Sequence, residues 1–148
     1  MPHVSLITLG VDDLSRADAF YEALGWRRSA ASVEGEVVFL QGGTVVLALY
    51  GRADLARDAG VASASAGTEA GTHAVALAVN LPDEADVDAL LATAAAAGGR
   101  VTRPARRASW GGYSGYVTDP DGHLWEIAHN PLFPLDAEGR VELPDGSE

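Results

Sequence analysis

Two stretches of this chain share one rhythm. "LGVDDLSRADAFYEALGW" covers residues 9–26, and "LAVNLPDEADVDALLATA" covers residues 77–94. Each leaves a short apolar strand, crosses an acidic helix start and continues with apolar residues at helical spacing. In the first, strand 4–10 ("VSLITLG") leads to Asp13 as helix cap. Leu14, Ala17, Tyr21 and Leu24 then form a stripe, with Phe20 beside it and Gly25 at the end. Strands follow over 26–33, 36–41 and 44–50, divided by Glu34-Gly35 and Gly42-Gly43. In the second, a strand from His73 to Val79 leads to a helix opened by Pro82, Asp83 and Glu84. Its stripe is Val87, Leu90, Leu91 and Ala94, and Gly98 closes it. Strands over 99–107, 112–118 and 123–129 complete the pattern. The repetition predicts an α+β fold made of two β-α-β-β-β modules, 4–50 and 73–129, within a single domain 1–148. An Ala-, Ser- and Gly-rich linker, 51–72, joins them with a helical turn near 53–59, and a proline-containing irregular tail spans 130–148.

Charge narrows the choice of partners. The 148 residues carry 10 basic and 21 acidic side chains, a formal net charge of −11. Such a balance opposes binding to nucleic acid, whose phosphates are held by cations, and to anionic membranes. No apolar run reaches the ~20 residues that span a bilayer. Met1-Pro2-His3-Val4 lacks the start of a signal peptide, so a cytoplasmic protein is expected. The absence of cysteine excludes disulfides, thiolate metal sites and a cysteine nucleophile.

The motifs V-x-D-L-x-x-A-x-x-F-Y-x-x-L-G-W in the first module and D-P-D-G-x-x-x-E in the second resemble those of the vicinal oxygen chelate superfamily. That group includes glyoxalase I, bleomycin-resistance proteins and extradiol dioxygenases. The resemblance covers residues 4–130 and implies paired curved mixed sheets around a cup-shaped cavity, homodimer assembly and, in active members, a divalent metal in the cup. Carried over position by position, the implied ligand sites fall on Leu6, Leu47, Ala74 and Glu126. Only Glu126 is a metal-binding type, and His73 sits one residue away from the third position. A one-residue offset on a strand points a side chain to the opposite face. If Ala74, Ala76 and Ala78 face the cup, then His73, Val75, Leu77 and Val79 face the helices. A catalytic metal needs about three protein ligands, so the site reads as degenerate, with no cofactor expected.

Register decides the rest of the lining. Treating Asp119-Pro120-Asp121-Gly122 as a four-residue loop pairs Thr118 with His123, Gly115 with Glu126 and Tyr113 with Ala128. The projected ligand-binding wall is then Leu6, Thr8, Leu47, Leu49, Ala74, Ala76, Tyr113, Gly115 and Glu126. Tyr116, Trp125 and Ile127 turn toward the helices. Trp110, in "WGGY", either closes the mouth of the cup or caps the edge of the core. Arg100, Arg103, Arg106 and Arg107 either attract an anion such as a carboxylate or solvate an edge strand. "GYSGY" is not a nucleophile elbow, because no helix follows it.

Two readings of function follow. One is a metal-independent protein that sequesters an apolar or aromatic small molecule, as the bleomycin-resistance branch does. The other is a glyoxalase-, dioxygenase- or isomerase-type enzyme in which Glu126 is a base or a metal ligand. Beside both, Glu126 has a plain role open to it as a polar residue bonded to a neighbour, and the chain one as an interaction module without a ligand.

Overall fold

The computed structural model describes residues 2–63 and 75–143. Its elements run β1 (Leu6–Val11), α1 (Leu14–Ala23), β2 (Arg27–Arg28), β3 (Val37–Gln41), β4 (Val46–Gly51) and α2 (Arg52–Ala59), then β5 (Leu77–Asn80), α3 (Glu84–Ala96), β6 (Arg100–Arg107), β7 (Tyr113–Thr118) and β8 (Leu124–His129). Two four-stranded sheets result, ordered β1-β4-β3-β2 and β5-β8-β7-β6. In each, the first strand pairs parallel with the fourth and the remaining neighbours are antiparallel. The α+β class and the two-module pattern of the sequence are both present, as open sheets rather than a closed barrel.

Both helix starts are set by the predicted acids. The Asp13 carboxylate accepts from the Arg16 N–H, and that of Asp83 from the Asp86 N–H, satisfying donors that a first turn leaves free. The least regular stretch is the expected strand 26–33. Only Arg27 and Arg28 pair with β3, after which the chain bends through Ser29–Ser32. The Ser32 hydroxyl takes the Phe39 N–H at 2.9 Å, a local bond that competes with a longer ladder.

Each sheet buries one face under its helix. Leu9, Val11, Val38, Leu40, Leu47 and Leu49 of the first join Val117, Trp125 and Ile127 of the second, with Phe20, Tyr21, Val87 and Leu91 from α1 and α3, in one core cluster. Tyr21 spans the two modules. Its ring lies 5.1 Å from Phe20 and 5.9 Å from Trp125. The Trp125 indole N–H donates to its hydroxyl at 3.2 Å, and that hydroxyl donates to Asp119 at 2.6 Å.

The Asp-Pro-Asp-Gly signature thus fastens one module to the other. Asp121, whose side chain is fully buried, accepts from the Asp12 N–H at 2.9 Å and from Arg16 at 3.0 Å, while His123 Nε2 meets the Gly10 carbonyl at 2.8 Å.

Candidate functional site

The hairpin of β7 and β8 sets the site. The Asp119 N–H donates to the His123 carbonyl at 2.9 Å, and the Gly122 N–H donates to the Asp119 carbonyl at 3.1 Å. The loop therefore contains three residues, Pro120, Asp121 and Gly122, not four. Gly122 has φ 89°, the left-handed conformation that closes a three-residue hairpin and that glycine adopts at least cost. The Asp119 carboxylate locks the turn by accepting from the Asp121 and His123 amides at 3.0 and 2.8 Å.

This loop moves β7 by one residue against the sequence-based register. Tyr116 pairs with Glu126, Ser114 with Ala128, Gly115 with Ile127 and Tyr113 with His129. Two expected wall residues are corrected by that shift. Tyr113 lies on the helix face, where its hydroxyl donates to Asp88 of α3 at 2.6 Å. Gly115 lies there too, and a Cβ on it would stand 2.6 Å from Leu91 of α3 and 3.0 Å from the Ala105 nitrogen. Its small size serves helix packing. Tyr116, placed toward the helices by the sequence reading, instead shares the helix-free face with Glu126. Trp125 and Ile127 are in the core as expected.

On that face a polar cluster forms. The Tyr116 hydroxyl donates to Glu126 Oε2. Arg103 of β6 places its guanidinium carbon 5.0 Å from the Tyr116 ring centroid and donates from Nη2 to the Ser114 hydroxyl at 2.8 Å. The bond to the Glu126 carboxylate holds the Tyr116 hydroxyl above the usual tyrosine range. Burial and the negative charge of Glu126 add to this, and Arg103 opposes it. All four side chains are half-buried. Chemically, the cluster offers a carboxylate with one oxygen committed, an aromatic ring and a cation held at two points. Ala78, paired with Glu126 across β5, and Leu124 and Ala128 on β8 supply small apolar surface on the same side.

The first sheet shows the other kind of surface. Leu6 pairs with Val46 and Thr8 with Ala48, which in turn pairs with Phe39, so these five share the helix-free face. Leu47 and Leu49 belong to the opposite face. They pair with Ile7 and Leu9 and lie in the core at 1% and 0% exposure, so their predicted place in the wall is corrected. The parallel pairing of β1 with β4 puts Leu6 and Leu47 on different faces. Ala48, not Leu47, is the β4 residue beside Thr8. Helix α2 closes one end of this surface, with the Tyr50 hydroxyl donating to Asp58 at 2.8 Å. Ala76 is exposed and just precedes β5, while Ala74 and His73 lie outside the described residues. Trp110 stands 58% exposed at the tip of the β6–β7 hairpin, its ring folded over Gly112.

Two hollows among the described residues can be set against these surfaces. One of about 540 Å³ lies between α1 and α3 and is walled by Phe20, Trp26, Leu90, Val117, Trp125 and Ile127. It is on the helix side, away from Glu126. A second of about 390 Å³ is bounded by Thr8, Leu55, Leu77, Leu124, Arg52 and His123. It takes Thr8 and Leu124 from the helix-free faces but Ile7, Leu9 and Leu77 from the helix side, and is of small-ligand size. Glu126, Tyr116, Arg103 and Ser114 line neither hollow.

Among the described residues no group of three or more His, Asp or Glu side chains could hold an ion. Glu126 is bonded to Tyr116, His123 to the Gly10 carbonyl, and His129 Nδ1 lies 3.1 Å from the Leu81 carbonyl.

Tyr116, Ser114 and Arg103 stand on the face of Glu126 and Ala48 on that of Thr8, and none of these was in the sequence-based wall; Ala78, expected to face the cup, pairs with Glu126. The signal for Tyr116 and Ser114 was the glycine of Asp-Pro-Asp-Gly, whose place suits the last residue of a three-residue loop. Arg103 had no comparable signal, since two register shifts along β6 set its direction.

Residues 2–127 match the family model of the Glyoxalase/Bleomycin resistance protein/Dioxygenase superfamily. Among solved structures, a glyoxalase-related enzyme from Fulvimarina pelagi is 39% identical, with a TM-score of 0.84 over 98% of this chain and 100% of that one. A lactoylglutathione lyase from Agrobacterium tumefaciens is 26% identical, with a TM-score of 0.63 over 86% of this chain and 93% of that one. No curated protein matches in sequence.

Proposed function

The chain belongs to the Glyoxalase/Bleomycin resistance protein/Dioxygenase superfamily, and from that premise we propose that it binds a small organic molecule against its helix-free sheet faces without a metal, sequestering it. One observation carries this reading. Glu126 is tied to Tyr116 on a helix-free sheet face, and two other positions that the family resemblance implies as ligands are apolar, Leu6 on β1 and Leu47, which is turned into the core. An apolar surface with a few oriented polar groups is the usual make-up of a small-molecule site. A carboxylate already bonded to a phenol serves as a hydrogen-bond anchor for a ligand.

Thermal-shift screening with aromatic and antibiotic-like compounds tests the binding, since a ligand that prefers the native state raises its stability with occupancy. Stabilisation by members of one chemical class is expected, and a flat response across the set would overturn the reading. Elemental analysis of the purified protein, before and after incubation with zinc, nickel, manganese or iron salts, tests the metal independence. A stoichiometric bound metal would refute it.

A second reading is supported by the likeness to a glyoxalase-related enzyme: Glu126 acts as a general base on a bound substrate, with Tyr116 holding its second proton site. If turnover of any substrate is found, Glu126→Gln should abolish it while leaving the melting temperature unchanged. Full activity in that variant would remove Glu126 from the chemistry.

A further inference from the structure

The cations of this chain divide into two groups. Among the described residues Arg16, Arg28, Arg52, Arg57, Arg107 and Arg140 each contact a carboxylate. Arg27 of β2 does not, and neither do Arg100, Arg103 and Arg106 of β6, although acids outnumber bases 21 to 10. These three pair across β6–β7 with Thr118, Tyr116 and Ser114, residues whose β8 partners are Leu124, Glu126 and Ala128. They therefore stand along the helix-free face that carries Glu126, whereas Arg107 pairs with Tyr113 on the helix face and grips Glu84 of α3 at 2.7 and 2.9 Å.

Protection of an edge strand explains the exposed Arg100 and Arg106. It does not explain Arg103. Pro104 already interrupts the free edge of β6, and Arg103 is half-buried and folded inward over Tyr116. Its guanidinium is fixed at Nη2 by Ser114 and on its face by the Tyr116 ring, leaving the other N–H groups of the fork without an acceptor among the described residues. A cation fixed in this way and left short of acceptors is prepared for an anion, and the planar fork suits a carboxylate in two-point contact.

We infer that the ligand of this face is an organic carboxylic acid, its carboxylate received by Arg103, its body lying on Ala78, Leu124 and Ala128, and Arg100 and Arg106 drawing it in. The inference rests on the ligand-binding reading given above and names the chemical class of that ligand. A monoanion is specified because Glu126 lies on the far side of Tyr116 and repels a second negative charge, so a phosphate dianion is disfavoured.

The test compares matched acids and amides, benzoate with benzamide and naphthoate with naphthamide, together with inorganic phosphate. Binding is followed by tryptophan fluorescence and thermal shift. Each acid should bind wild type about ten-fold or more tightly than its amide, the range a charge-assisted hydrogen bond supplies. Added salt should weaken the preference. Arg103→Met should erase it, Arg103→Lys should keep part of it, and Arg57→Met on α2 should leave it intact. If Arg103→Met fails to fold, Arg103→Lys decides: an undiminished preference there contradicts two-point recognition. Equal binding of acids and amides, or a preference that survives Arg103→Met, overturns the inference while ligand binding stands. Phosphate binding as tight as benzoate overturns the choice of a monoanion. If no acid and no amide binds, both the inference and the reading beneath it fall.

Discussion

The two half-sheets share one wiring and differ on a single face. Toward the helices both are built alike, from Leu9, Leu40, Leu47 and Leu49 in the first and Val117, Trp125 and Ile127 in the second. Away from the helices the first shows Leu6, Phe39, Val46 and Ala48, and the second Arg103, Ser114, Tyr116 and Glu126. Alternation along each strand makes this possible, since packing constrains every second residue and leaves its neighbours free for chemistry. The fold is thus held by one set of positions, and the polar side chains stand in the other, mostly on one module.

The largest expected effect tests the inner set. Leu49→Ala should lower unfolding stability by about 2–5 kcal/mol, the cost of a buried leucine and the cavity it leaves, measured by urea denaturation. A loss near zero would return Leu49 to the ligand wall. Next comes the join between modules. Tyr21→Phe leaves the buried Asp119 oxygen and the Trp125 N–H without their shared partner, and should cost about 1–3 kcal/mol. An unchanged midpoint would mean that apolar packing alone holds the two halves together.

A pH experiment sharpens the same point. Burial holds the Asp119 carboxyl above its ordinary range, against the opposing pull of His123 and of the Tyr21 hydroxyl. The folded protein therefore retains this proton to higher pH than the unfolded chain does. Asp119 favours the fold most below the ordinary carboxylate pKa, and that contribution is lost as pH rises through the raised value. Asp119→Asn cannot titrate, so the wild-type advantage in melting temperature should widen as pH falls from neutral toward about 4, near the unperturbed carboxylate pKa. A constant gap would contradict the raised value.

The smallest effect on stability belongs to the outer set. Glu126→Gln should change stability by less than about 1 kcal/mol, while alkaline titration by ultraviolet absorbance should show Tyr116 ionising at lower pH than in wild type. An unmoved tyrosine titration would break the assignment of Glu126 as its partner.

Much of the inner set was legible in the sequence. The cap Asp13 and the helix start at Pro82-Asp83-Glu84 follow from residue type, and the helical stripes and the inward Trp125 and Ile127 from periodicity, because burial imposes a period. The outer set was only half legible. Glu126, Leu124 and Ala128 share their face as expected, since β8 alternates strictly. Their partners on β7 were misplaced, because register there depends on how many residues the turn contains, a property of hydrogen bonds that composition does not announce. Leu47 was misplaced for a related reason: the parallel pairing of β1 with β4 fixes their relative faces, and the crossover between them leaves no local mark. Arg103 was visible only as part of a basic run, its direction being set by irregularities in β6.

The three-residue loop at Pro120–Gly122 has a consequence for how such a protein changes. Strand residues alternate two by two, so the parity of the loop decides which half of β7 lies on the helix-free face. One inserted or deleted residue there would exchange Tyr116 and Ser114 for Val117 and Gly115 without altering a single side chain on the strand. A turn thereby acts as a selector between two alternative faces carried by the same sequence.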